Sequence, residues 1–222
     1  GLADCYYANL QMSKALSSFR DCIEISHEEG LGRIEVPNRY MTGLTRRYLN
    51  EMKAGLEDIL SAQKLAKDVG HHRCEMYSTN FAAEFLLDMG EVEEALKASN
   101  RALELTFMTQ NKRFRAYVMN QKARGLMELG NQAEALQVLE EAIQMSREIG
   151  MPFVGPRLLG TLSLCSDSLE VQTSALQEGF SILKSGCHAH NQLWFLRDAI
   201  ENSLRTKRDS DALMYADYLE HI

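Results

Sequence analysis

Two stretches forty residues apart, EVEEALKASNRALELTFMTQ (residues 91–110) and NQAEALQVLEEAIQMSREIG (131–150), follow one pattern. Each places Ala-Leu at its fifth and sixth positions and a further alanine seven residues on (Ala102 and Ala142). The same frame fits residues 11–30, 51–70 and 171–190 without a gap. Leu16, Leu56, Leu96, Leu136 and Leu176 share one position, and Ala15, Ala95, Ala135 and Ala175 share the one before it, where the remaining copy has Gly55. Gly30, Gly70 and Gly150 close three copies, Gln110 closes another, and Gly90 and Gly130 mark a second turn twenty residues earlier. Fixed-period self-similarity of this kind is the signature of a repeat architecture, in which one supersecondary unit recurs.

Apolar residues within a unit recur at three- and four-residue steps, as in Leu136, Leu139 and Ile143 or Leu86 and Met89, which predicts amphipathic helices. Glycines after the last periodic residue are helix stops. Helices are predicted over 12–29, 34–49, 52–69, 72–89, 92–109, 112–129, 132–149, 153–165, 169–185, 191–206 and 209–220. Pro37, Pro152 and Pro156 are expected in first turns, where a missing N–H costs little. No segment reads as a strand. The expected fold is all-α, a right-handed superhelix of stacked antiparallel hairpins with about forty residues per repeat. Residues 1–30 form a partial first repeat, 31–70, 71–110, 111–150 and 151–190 are repeats, and 191–222 make a final hairpin. The helical pattern runs from Gly1 to Ile222, so the chain reads as a piece of a longer protein with self-association expected at its terminal hairpins.

Composition narrows the function classes. Hydrophobic residues at 45%, charged residues at 25% and only three prolines describe a helix-favouring globular chain. No apolar run is long enough to span a bilayer and no secretory signal opens the sequence, so a membrane role is not expected. Cys5, Cys22, Cys74, Cys165 and Cys187 are scattered and odd in number, which points to free thiols in a cytoplasmic protein. A net charge of −7 and sparse aromatic interleaving argue against nucleic acid.

Charge separates by helix. First-helix segments (31–50, 71–90, 111–130 and 151–170) sum to +4, while second-helix segments (11–30, 51–70, 91–110, 131–150 and 171–190) sum to −8. First helices line the inner face of such a stack. Arg39, Arg46, Arg47, Arg113, Arg115, Lys122 and Arg124 are therefore the candidate groove residues, suited to an acidic peptide or a partner's helix. A set of separately solvated charges is the alternative reading.

Motifs for chemistry are scarce. Cys187, His188 and His190 in CHAH supply zinc-type ligands but lack a fourth, and read as a turn. His71 and His72 read as exposed first-turn residues. Glu93–Glu94 and Glu140–Glu141 are adjacent and so point apart on a helix. No phosphate-binding glycine loop occurs and no cysteine sits in a nucleophile motif. Neither catalysis, nor a metal, nor a cofactor is expected.

The stretch HNQLWFLRDAIENSL (190–204) holds the single tryptophan. On a helix, Leu193, Leu196, Ile200 and Leu204 form one apolar stripe, and Trp194, Arg197, Asp198 and Glu201 an adjoining one. His190 and Asn191 read as a helix start and Trp194 as a packing anchor between hairpins. Arg197 is expected to pair with Glu201, four residues on, rather than with its neighbour Asp198. The second reading of His190, Asn191, Trp194, Arg197 and Asp198 is an aromatic patch for a partner or small ligand.

The small residues Ala83, Ala95 and Ala102, and Ala123, Ala135 and Ala142, resemble those near positions 8, 20 and 27 of the tetratricopeptide repeat. The unit here is forty residues rather than thirty-four and lacks the closing proline, features similar to the longer-helix variety in bacterial signalling regulators. GMPFVGPRLLGTLSL (150–164), GCHAHNQLWFLRDAIENSL (186–204) and SDALMYADYLE (210–220) resemble the C-terminal repeat region of regulators that join a class III adenylate/guanylate cyclase or DNA-binding domain to an AAA/STAND-type ATPase. Gly155, Pro156, His190, Asn191, Trp194, Arg197, Asp198 and Ala199 carry that likeness. It implies a non-catalytic scaffold in a cytosolic signalling protein, contacting a protein or peptide and other domains of its own polypeptide. The alternative it implies is a small-molecule-sensing domain that controls a linked cyclase, ATPase or transcription-regulatory domain.

Overall fold

Turns recurring every twenty residues cut the chain into helices of nearly equal length. A residue with positive φ stands at Leu10, Gly30, Asn50, Gly70, Gly90, Gln110 and Gly130, and again at Lys207. At Gly30 its own N–H donates to the His27 carbonyl (3.1 Å) and the N–H of Leu31 to the Ser26 carbonyl (2.7 Å). That is the Schellman closure, which satisfies carbonyls a helix end would otherwise leave open. The same pair of bonds recurs at the other seven turns. Glycine adopts this conformation without a Cβ clash, whereas Leu10, Asn50, Gln110 and Lys207 hold it under strain.

The structure, a computed structural model, describes residues 1–187 and 189–222, and the regular elements among them are all helical. Two units divide the chain, Gly1–Asn111 and Lys112–Ile222, and the division falls at the start of the 111–150 repeat. The first contains α1 (Leu2–Ala8), α2 (Met12–Glu28), α3 (Gly32–Tyr48), α4 (Met52–Asp68), α5 (His72–Asp88) and α6 (Val92–Met108). Successive helices pack as antiparallel hairpins, and α3 also packs on α5. Ala15, Ala83, Ala95 and Ala102 are buried, as the small-residue reading requires. The tightest approach joins α3 to α4. A Cβ built on Gly43 would lie 2.7 Å from the Gly55 carbonyl oxygen, and one built on Gly55 would lie 2.7 Å from the Phe85 ring. Glycine at 55, where the other copies have alanine, therefore has a steric cause.

The second unit contains α7 (Lys112–Glu128), α8 (Gln132–Ile149), a 3-10 turn (Met151–Phe153), α9 (Gly155–Cys165), α10 (Leu169–Ser185), α11 (Ala189–Arg205) and α12 (Asp209–Glu220). Its first helices pack in series, α7 on α9 and α9 on α11. Leu176, Phe195, Leu196, Ala199 and Tyr215 form one core cluster, and the Phe195 ring occupies the space that a Gly179 side chain would need.

Three expectations change. Residues 2–8 form a separate helix. Helix α3 begins at Gly32, so Pro37 lies inside it rather than in its first turn and removes one internal hydrogen bond. The buried side of α11 is Phe195, Leu196 and Ala199, with Leu204 57% exposed, because Gly179 opens a seat for the Phe195 ring. Pro152 and Pro156 do stand at helix starts. No helix among the described residues is long and apolar enough to cross a membrane.

Candidate partner-binding site

In the first unit the candidate arginines are held by carboxylates. Arg39 donates from Nε to the buried Glu35 one turn before it (2.6 Å). Arg46 on α3 donates to Asp58 on α4 (2.7 Å) and to Glu51. Arg47 reaches α5, donating to Asp88 (2.6 Å) and Glu84 (2.5 Å), and its guanidinium lies 5.9 Å from the Phe85 ring centre. The side chains of Arg47 and Glu84 are 8% and 1% exposed, so this pair is almost dry. Burial pushes the Asp58 carboxyl up from its ordinary range, against the pull of Arg46.

In the second unit, Arg113, Tyr117, Asn120 and Arg124 follow one another at three- and four-residue steps along α7. Arg113 stacks over Phe153 with its guanidinium 3.9 Å from the ring centre. Lys122 lies 3.6 Å from Glu134 on α8, and Arg115 is half-buried on the same helix. Arg157 of α9, only 3% exposed, donates to the Tyr117 hydroxyl and stacks on that ring at 4.7 Å. Trp194 of α11 has the Arg157 guanidinium 4.8 Å and the Arg197 guanidinium 4.4 Å from its ring, within cation–π range of both.

The centre of this face is Asp198, which has no exposed surface. Its Oδ2 accepts from Arg124 of α7, and its Oδ1 accepts from Nε (3.1 Å) and Nη2 (2.8 Å) of Arg197. The expected Arg197–Glu201 pair does not form. Glu201 accepts from Arg205 instead, because burial of the carboxylate beside it draws the Arg197 guanidinium inward. Burial and the nearby Arg124 and Arg157 lower the Arg197 pKa from its ordinary value, with Asp198 opposing them.

Asn191 fastens the start of α11 to the 151–153 turn, donating to the carbonyls of Phe153 (2.6 Å) and Pro152 (3.2 Å). His190 is half-buried in the first turn of α11. Of the CHAH set, His188 lies outside the described residues, and Cys187 is half-buried with its thiol pKa pushed up by burial. Among the described residues no three His, Cys, Asp or Glu side chains gather as a metal site. His71 caps α5, accepting from the Cys74 N–H (3.4 Å).

Sequence reading did not single out Tyr117, Arg157, Gly160 and Asn120. The forty-residue step from Tyr117 to Arg157 puts both at one repeat position, and Asn80 and Asn120 share another. Both asparagines are fully buried, and neither amide has a hydrogen-bond partner. That signal was available from the repeat alignment.

No protein-family model matches the chain, and no curated protein matches its sequence. Solved structures do match. A Rap protein complexed with competence and sporulation factor superposes with a TM-score of 0.81 at 15% identity, over 99% of this chain and 61% of that one. Aspartyl phosphate phosphatase F from Bacillus subtilis gives 0.79 at 15% identity, over 99% and 57%. A signal transduction ATPase with a tetratricopeptide repeat sensor, from Pyrococcus horikoshii, gives 0.66 at 15% identity, over 99% and 35%. The chain thus spans less than two thirds of each of these three proteins. At such identity the likeness is one of architecture: the chain has the all-α, tetratricopeptide-like solenoid fold.

Proposed function

We propose that the chain is a non-catalytic interaction module that holds an acidic segment of a protein partner against the first-helix face of its second unit. The observation that carries this reading is one buried carboxylate shared by two guanidiniums, Arg124 and Arg197, beside the aromatic rings of Tyr117 and Trp194. Arg113, one turn before Tyr117 on the same stripe of α7, extends the basic surface; Arg115 and Lys122 lie on the opposite side of that helix, Lys122 against Glu134 of α8. Arg39, Arg46 and Arg47 serve the first unit instead by neutralising its own carboxylates. The Rap structure, which holds competence and sporulation factor, offers a precedent for recognition on this architecture. The sensor-bearing ATPase supports placing the module within a larger signalling protein, as the resemblance over residues 150–220 implies.

Fluorescence anisotropy with a labelled octaglutamate peptide tests the reading. The wild-type chain is expected to bind it with strong salt dependence and to ignore octalysine. The variant Arg113→Glu should bind severalfold more weakly, and Arg115→Glu with Lys122→Glu should change the affinity little. Equal affinity for both peptides, or no effect of the Arg113 reversal, would overturn it.

A further inference from the structure

Asp198 is placed to imitate the ligand. We propose that it is an internal occupant of the anion position on this face, that an acidic partner docks by replacing it on Arg124, and that the exchange releases α11 from α7. The inference rests on the reading that this face takes an acidic segment.

Helix α9 packs against both α7 and α11, so a side chain on α11 must pass α9 to reach α7. It passes at Gly160. A Cβ built there would stand 3.1 Å from both the Cβ and the Oδ2 of Asp198, so a side chain at 160 would crowd the carboxylate by a few tenths of an ångström. The glycine thus opens the gap through which one carboxylate fastens α11 to α7 past α9. The fastening is incomplete on its cationic side. Oδ1 is committed to Arg197 and Oδ2 to Arg124, which leaves the buried Nε of Arg124 without a partner. A guanidinium holds a carboxylate best through two parallel N–H donors, and Arg124 has one of its donors unused. One turn earlier on α7, the Asn120 amide is buried with neither its N–H donors nor its carbonyl bonded. A partner carboxylate followed by a main-chain amide could satisfy both groups, which Asp198 alone cannot.

The exchange is a competition. Asp198 is tethered, so its effective concentration at Arg124 is high and it suppresses weak acidic ligands. A ligand wins when its carboxylates engage Arg113 and Arg124 of α7 together. Departure of Asp198 also frees Arg197 from its two hydrogen bonds to Oδ1, and Arg197 lies against the Trp194 ring, so tryptophan emission reports the event.

Octaglutamate anisotropy and Trp194 emission are measured on the wild-type chain, on Asp198→Asn, and on Asp198→Asn combined with Arg124→Ala. Asp198→Asn should bind at least tenfold more tightly than wild type, adding Arg124→Ala should abolish the gain, and wild-type binding should shift Trp194 emission. Should Asp198→Asn fail to fold, Gly160→Ala takes its place, because it crowds the carboxylate without removing its charge; a severalfold gain is expected. Wild-type binding that is neither strengthened by these variants nor accompanied by an emission shift overturns the exchange and leaves the acidic-partner reading standing. Absence of binding by every variant overturns that reading, and the exchange with it.

Discussion

Gly55→Ala separates what the repeat pattern advises from what packing allows. Four of five copies carry alanine at this position, so the pattern recommends the change, and helix propensity alone credits it with about 1 kcal/mol. The structure predicts the opposite sign. The new methyl would meet the Phe85 ring at 2.7 and 2.8 Å and the Gly43 carbonyl oxygen at 3.0 Å. Phe85 has no exposed surface, and the carbonyl belongs to the backbone of α3, so neither gives way easily. Overpacking of this kind costs roughly 1–3 kcal/mol, which outweighs the propensity gain and leaves the variant about 1 kcal/mol less stable. With a urea m-value of about 2 kcal/mol/M, the midpoint falls by roughly 0.5 M. Phe85→Leu removes the ring edge that causes most of the clash. In that background Gly55→Ala should become neutral or stabilising, giving a coupling of about 1–2 kcal/mol. Urea titration followed by circular dichroism on the four corners of this cycle measures it. A Gly55→Ala protein as stable as wild type, or additive effects, would refute the steric argument.

Two further outcomes follow from the turns and the buried thiols. Replacing Leu10, Gln110 or Lys207 with glycine relieves about 1–2 kcal/mol of left-handed strain against an entropy loss of about 0.4–1 kcal/mol. Each change should therefore raise Tm by about 1–4 °C, with Asn50→Gly giving less because asparagine tolerates this conformation; a fall in Tm at Leu10→Gly would count against the Schellman assignment. Burial pushes the thiols of Cys74 and Cys165 from 9.0 up to about 11. The unfolded chain then ionises first as pH rises, so stability is intact below pH 9 and is lost between pH 9 and 11, by about 1.4 kcal/mol per thiol at pH 10. Urea midpoints across pH 8–10.5 should fall less steeply in Cys74→Ala, and identical slopes would contradict the burial effect.

The fold was legible because its determinants are local and repeated. A stop every twenty residues and small residues at one register specify hairpins without reference to distant contacts. Failures occurred where a neighbouring helix decides the outcome. Leu204 continues the apolar periodicity of α11, yet it stays exposed because Gly179 on α10 draws Phe195 into the core instead. Likewise the Pro37 position depended on where α3 begins, and two residues of extra helix moved it out of the first turn.

The site was less legible because summed charge on a face is not free charge. Arg47 and Arg124 look alike in sequence, each a cation near the end of a first helix. Arg47 meets Glu84 and Asp88, two carboxylates for one guanidinium, and the pair is nearly dry. Arg124 meets Asp198, one carboxylate that Arg197 also claims. The partners lie 37 and 74 residues away in the chain, and no helical spacing predicts them. What separates the two arginines is therefore the ratio of carboxylates to guanidiniums that packing brings within reach. By that ratio Arg47 is saturated by carboxylates of its own unit and Arg124 is not, a difference that charge counting along the sequence averages away.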